Sequence, residues 1–252
     1  MHHTLTRLRG LGRSLAMYYW PPGSLARLTR FYGRFVRPGD LCFDIGAHVG
    51  NRSLAFARLG ARVVAVEPQP DFARFLRHLL KGRSGVVLEE VAVAAAPGRV
   101  ELHLSPATPT VSTASAAFID GVAAIPSFAG VRWERRVLVP ATTLDLLVAR
   151  HGLPDFLKLD IEGLEEEALA GLTHSPKLLS FEFLAGRTAS AGRCLDRLEA
   201  IGSWAYNISI GESLELEWPD FVPRARLDAW LAARAGEDFS GDIYARLEGE
   251  GR

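Results

Sequence analysis

Lysine is scarce in this chain. Only Lys81, Lys158 and Lys177 occur in 252 residues, so arginine carries nearly all the positive charge and each lysine draws notice. Cysteine is scarcer still. Cys42 and Cys194 are too few and too far apart for a disulfide framework or a zinc site. Cys42 falls inside an apolar run and reads as a buried free thiol. No apolar stretch approaches the roughly 18 residues of a membrane span. Residues 15–20 are too short for a signal-peptide core, and Pro21-Pro22 ends them. Together these absences suggest a soluble protein of a reducing, cytoplasmic compartment. Acids are missing before Asp40, whereas Arg7, Arg9, Arg13, Arg27, Arg30, Arg34 and Arg37 all precede it. Over the whole chain 29 basic residues balance 29 acidic ones, so no bulk field favours nucleic acid.

What is present is alternation. Residues 1–37 read as two helical pieces broken at Trp20-Pro21-Pro22-Gly23, an arginine-rich extension ahead of a domain spanning 38–252. From residue 38 onward, apolar runs of strand length (41–45, 62–66, 86–93, 156–161, 178–183) alternate with segments of helical period (52–59, 71–80, 142–150, 164–172, 191–201). Residues 99–104 and 136–139 add shorter extended runs, and 204–208 and 243–247 are late strands with a helix near 224–234. Residues 105–133, rich in Ser, Thr, Ala, Pro and Gly, form a long excursion. Strands alternating with helices of this length give βαβ units and a mostly parallel sheet. Strands apolar on both faces fit a sheet covered by helices on each side. In such a fold the ligand sits outside the carboxyl ends of the strands.

Those ends carry acids. Asp44, Glu67, Asp160 and Glu182 each close an apolar run, and Glu90 lies near the end of a fifth. One such acid is as well explained by a capped turn; a set on one sheet edge makes a polar pocket. Asp44-Ile-Gly-Ala-His-Val-Gly50 reads as a strand-to-helix turn in which Gly46 and Gly50 permit close approach to a ligand. His48 stands where a dinucleotide fingerprint needs its second glycine, which argues against NAD or FAD. Glu67 follows Gly46 by 21 residues, about the spacing at which an acid at the end of the second strand meets ribose hydroxyls, and Pro68 fixes the turn after it. A ligand with a ribose, an amino-acid end and no diphosphate is therefore expected, and S-adenosylmethionine fits. In the stretch FLKLDIEGLEEEALAG, Phe156, Lys158 and Asp160 share one face of a strand, with Glu162 following if the strand runs that far. Lys158 and the acids beside it form either a structural ion pair or a charged shelf beside the transferred group.

The segments FDIGAHVGNRSLAFA, VVAVEPQP, EEVAVAAAPGRVEL, TTLDLL and FLKLDIEGLEEEALAG occur in this order over roughly residues 38–185. Together they resemble the FkbM family of S-adenosylmethionine-dependent methyltransferases. The resemblance implies the Rossmann-like class I methyltransferase fold, a seven-stranded sheet flanked by helices and ending in an antiparallel hairpin. It places Asp44, Gly46, Ala47 and Gly50 beside the methionine end of the cofactor, with His48, where asparagine is expected, and Asn51 in the same loop. It places Glu67 and Pro68 at the ribose, Val91-Ala92 at the adenine and Asp160 near the sulfonium.

Methyl transfer to a hydroxyl needs the acceptor's proton removed. Asp160, Glu162 and Glu182 are the candidates, with His48 and His103 behind them, and Lys158 would hold Asp160 ionised. The histidines show no metal-ligand spacing, so no metal set is evident, and metal assistance through Asp160 and the acids near it stays an open alternative. The expected activity is O-methylation of a small molecule, sugar or lipid-linked acceptor. The alternatives are a nicotinamide oxidoreductase and a non-catalytic binding protein on the same sheet. The arginine-rich extension suits a core-packed cap, a peripheral membrane contact or an acceptor-binding element.

Overall fold

The computed structural model describes residues 2–249, the side chains of residues 2–8 excepted. Two helices open the chain, α1 (His2–Tyr19) and α2 (Ser24–Tyr32), broken at the expected Pro-Pro-Gly. The βαβ region follows with β1 (Leu41–Ile45), α3 (Asn51–Arg58), β2 (Arg62–Val66), α4 (Pro70–Leu79) and β3 (Val86–Glu89). Next come β4 (Ala92–Val93), β5 (Gly98–Leu104), α5 (Ala116–Val122), β6 (Arg135–Thr142), α6 (Leu144–His151) and β7 (Phe156–Leu159). The chain closes with α7 (Glu165–Ala170), β8 (Leu178–Leu184), α8 (Thr188–Glu199), β9 (Trp204–Ile210), α9 (Arg224–Ala233) and β10 (Ser240–Leu247).

The main sheet has seven strands in the order β3-β2-β1-β7-β8-β10-β9. All neighbours are parallel except β10, which runs antiparallel to both β8 and β9. The period of two sorts each strand's side chains between two cores. Phe43, Val64, Leu157 and Leu159 pack with α6, α7, α8 and α9 on one face. Cys42, Val63 and Phe156 pack with α2 and α3 on the other. Tyr32 and Phe56 meet there edge to face, their ring centres 4.8 Å apart. Helix α2 thus shares the core of the sheet, while Arg27, Arg30, Arg34 and Arg37 stay exposed around it. Arg9 and Arg13 on α1 are also exposed; the Arg7 side chain lies outside the described residues. No described helix is long and apolar enough to cross a membrane.

Two expectations are corrected. Residues 86–93 are not one strand. The chain leaves the sheet at the edge strand β3, beyond which no strand pairs among the described residues. Ala92 and Val93 instead pair with β6 in a separate three-stranded sheet, β4-β6-β5. The strand expected over 156–161 ends at Leu159, and Glu162 turns out of extended geometry with φ of 54°. The excursion at 105–133 joins the antiparallel strands β5 and β6 and carries α5 with single 3-10 turns on either side of it.

Candidate active site

The carboxyl ends of β1, β2 and β7 and the amino end of β10 open on one crevice of about 260 Å³. Of the residues singled out from the sequence, Gly46, Ala47, His48, Asn51, Glu67, Pro68, Ala92, Asp160, Glu162 and Glu182 line it. The β1–α3 turn forms one wall. Gly46 sits at φ of 86°, and a Cβ there would fall 1.8 Å from the backbone oxygen of Asp160, so only glycine lets the two strand ends approach. Glu67 faces this turn from β2. One carboxylate oxygen accepts the backbone N–H of His48 at 2.7 Å and the other that of Gln69 at 2.8 Å. Burial outweighs those two hydrogen bonds and pushes the Glu67 pKa up to about 7.

His48 packs its ring on Phe72, with centres 4.1 Å apart, and on Tyr18 at 5.5 Å. Burial lowers its pKa to about 4, so the ring is neutral at physiological pH. Its Nε2 is buried with no hydrogen-bond partner among the described residues, and so is Nε of Arg52. Arg52 also lines the crevice, bonding Glu212 at 2.6 Å and lying over the Tyr18 ring. Two orphaned polar atoms on one wall are what a site built for a polar ligand leaves behind.

Asp44, Gly50, Val91 and Lys158 do not line the crevice. Asp44 is fully buried on the α3 side of the sheet, where the Ser53 hydroxyl donates to it. Gly50 is covered by Leu76 and Leu79. Val91 packs on the main core. Lys158, 1% exposed, stands directly across the β1–β7 register from Asp44. Its Nζ donates to Asp160 at 2.7 Å and lies 3.9 Å from Asp242. For Asp160 burial favours the proton, but Lys158 and Arg52 outweigh it and hold the carboxyl below its ordinary range. Glu90 and His103 fall outside the crevice. Glu90 pairs with Arg77 at 2.9 Å where the chain leaves β3, and the His103 ring faces Glu101.

Glu162 and Glu182 have no cationic partner among the described residues. Burial, then the neighbouring carboxylates, drive both far above the usual carboxylate range. Asp160, Glu162 and Glu182 bring one oxygen each within 4.8 Å of one another, an oxygen donor set at the acids where the sequence left metal assistance open. Glu182 stands on β8, and the loop after β7 that carries Asp160 and Glu162 is held by Glu165. Its carboxylate accepts the backbone N–H groups of Ile161 and Gly163, each at 3.0 Å.

A model of the methyltransferase FkbM domain matches residues 44–194, more than half of the chain. The chain belongs to the FkbM methyltransferase family. Its matched span runs from the acid ending β1, through the Gly46 turn, Glu67 and the loop after β7, to Cys194 in α8. Membership replaces the nicotinamide oxidoreductase reading with methyl transfer. No curated protein matches the sequence. Solved structures similar to the FkbM chain include an O-methyltransferase from Bacillus cereus in complex with SAH. It is 12% identical, with 98% of this chain and 90% of that chain covered and a TM-score of 0.47. Another is a TehB-like SAM-dependent methyltransferase from Corynebacterium glutamicum ATCC 13032 Kitasato, 14% identical, with 97% and 98% covered and a TM-score of 0.43.

Proposed function

We propose that this protein transfers a methyl group from S-adenosylmethionine to a hydroxyl oxygen of an acceptor. The observation that carries the reading is Glu67, held at the end of β2 by two backbone N–H groups and turned into the crevice opposite the Gly46 turn. A carboxylate so placed accepts from both hydroxyls of a ribose. The residues present suit the donor. Phe72, Ala92 and Leu102 offer apolar walls to a base, and the unpartnered Arg52 Nε and His48 Nε2 offer polar ones to the amino-acid end.

S-adenosylmethionine supplies a methyl group on a cationic sulfur, which keeps the electron pair of the breaking C–S bond while the acceptor oxygen forms the new O–C bond. The chain orients the two reactants and receives the hydroxyl proton. Glu182 is the group we place in that role, because it lines the crevice without a cationic partner among the described residues, whereas Asp160 is committed to Lys158. A Glu182→Gln variant is expected to lose roughly 10²-fold or more in turnover, as for removal of a general base, with donor affinity changed little. Turnover within threefold of wild type would remove Glu182 from that role.

Calorimetry with S-adenosylmethionine tests the donor. Labelling with a donor carrying a ¹³C methyl group, in the presence of a metabolite extract, tests the atom methylated. A new methoxy resonance is expected; an N-methyl resonance would overturn O-methylation, and no transfer alongside tight donor binding would favour the non-catalytic reading.

A further inference from the structure

A second cavity, of about 280 Å³, adjoins the crevice. The two share Tyr18, Thr110, Glu162, Glu182 and Ser240 as lining residues, so the acid cluster stands at their junction. Two segments that the strand-end rule does not reach make the outer walls. One is the excursion between β5 and β6, which contributes Ile125 and Phe128. The other precedes β10 and contributes Glu237, Asp238 and Phe239. These walls are fastened to each other and to the loop after β7. The Asp238 carboxylate accepts the backbone N–H of Ser127 at 3.0 Å and its hydroxyl at 2.6 Å. Thr113 Oγ1 donates to the backbone oxygen of Glu162 at 2.7 Å. Phe118 lies so close over Gly163 that a Cβ there would come within 2.3 Å of its ring.

The chemistry of the lining is one-sided. Glu162, Glu182, Glu237 and Asp238 all face the cavity, and no Lys, Arg or His is among its described lining residues. Ile125, Phe128, Leu184 and Phe239 supply apolar surface. An anionic group entering here would find no basic side chain among the described lining residues to balance it. A hydroxyl finds acceptors on several sides, and an apolar body finds a wall.

We infer that this second cavity is the acceptor site, and that it takes an uncharged, hydroxyl-bearing molecule with an apolar body while rejecting phosphate or carboxylate at the reacting end. The inference rests on the reading that the first crevice holds the methyl donor. It narrows the acceptors considered from the sequence, since a phosphate-linked sugar would have to keep its phosphate outside the cavity.

Hexyl glucoside and hexyl phosphate share one apolar chain and differ in the head, so they serve as probes. Each is titrated calorimetrically into the full chain with and without saturating S-adenosylhomocysteine. Hexyl glucoside is expected to bind at least about tenfold more tightly than hexyl phosphate, the discrimination of one unfavourable charge contact at an effective dielectric between protein and water. Ile125→Trp, which fills the cavity, should weaken the glucoside roughly tenfold or more and leave S-adenosylhomocysteine affinity within about twofold. Glu237→Lys, at an exposed rim position with no side-chain partner among the described residues, should shrink the penalty on the phosphate. Equal or tighter binding of hexyl phosphate to wild type, no binding of the glucoside, or glucoside affinity unmoved by Ile125→Trp overturns the inference. Loss of S-adenosylhomocysteine binding alone overturns the donor reading instead, because the glucoside is read separately.

Discussion

A Lys158→Met variant is expected to lose about 3 kcal/mol of folding stability at pH 8 and to regain part of it as the pH falls to 5. The lysine is the cation in direct contact with a wall of acids. Its Nζ touches Asp160 and Asp242, and Asp44 stands across the strand pairing from it. Breaking a buried pair by removing one partner costs roughly 3–5 kcal/mol, and the low end applies because Asp160 keeps 29% of its side chain exposed to water. Methionine keeps the length of the side chain, so lost packing adds little.

The sign follows from the direction of each shift. In the wild type Asp160 is held below its ordinary value, so its contribution is present above that value and is lost only in strong acid. The raised Lys158 contributes at every pH below its own titration. Without Lys158, burial raises Asp160, and it raises Asp44 and Asp242 further than it already does. The penalty of charging them then lies above those raised values and lifts as they take up protons. Urea denaturation followed by tryptophan fluorescence at pH 8 and pH 5 measures both halves of the expectation. Wild-type stability at pH 8 would show that Lys158 is not the counter-charge of this wall.

Much of this architecture was legible in the sequence, for a reason that also explains what was not. Asp44, Glu67 and Asp160 end short apolar runs, and apolar runs in a helix-covered parallel sheet are set by burial alone, a local signal. The rule that ligands lie beyond carboxyl ends then finds the crevice. It fails in two places. β10 runs antiparallel between β8 and β9, so its amino end faces the crevice and brings Ser240, Gly241 and Asp242 there, with Asp242 directly opposite Glu182. Nothing local in the sequence announces that reversal. At the other edge, β3 has no outer neighbour among the described residues, and the chain departs there and carries Glu90 to Arg77 rather than to the site.

Arg52, Tyr18 and Glu165 were missed for a related reason. Each reaches the site or its loop from a helix, and helical period alone does not say which polar residue turns inward. The one available signal was the acid run Glu165-Glu166-Glu167 after the β7 loop. Only Glu165 of the three is buried, with its carboxylate on the loop's N–H groups, while Glu166 pairs with Arg193.

Replacing Glu67 should have the largest effect on ligand binding of any single change in the crevice. A Glu67→Ala variant is expected to bind S-adenosylhomocysteine at least about 10²-fold more weakly, since two hydrogen bonds to a charged acceptor are worth roughly 1.5–3 kcal/mol each. The same change frees the N–H groups of His48 and Gln69, so the turn that presents His48 loosens as well. A thermal melt of the free protein separates that loss of order from the lost contact. Wild-type affinity should also fall below pH 7. Glu67, pushed to about 7 by burial, must be ionised to accept from two hydroxyls, so each unit of acid costs up to about tenfold. Glu67→Gln keeps the shape and removes the titration, so its weaker binding should be flat between pH 8 and pH 5.5. Undiminished affinity in Glu67→Ala would take Glu67 off the ribose. A pH slope that persists in Glu67→Gln would assign the proton to another acid of the crevice.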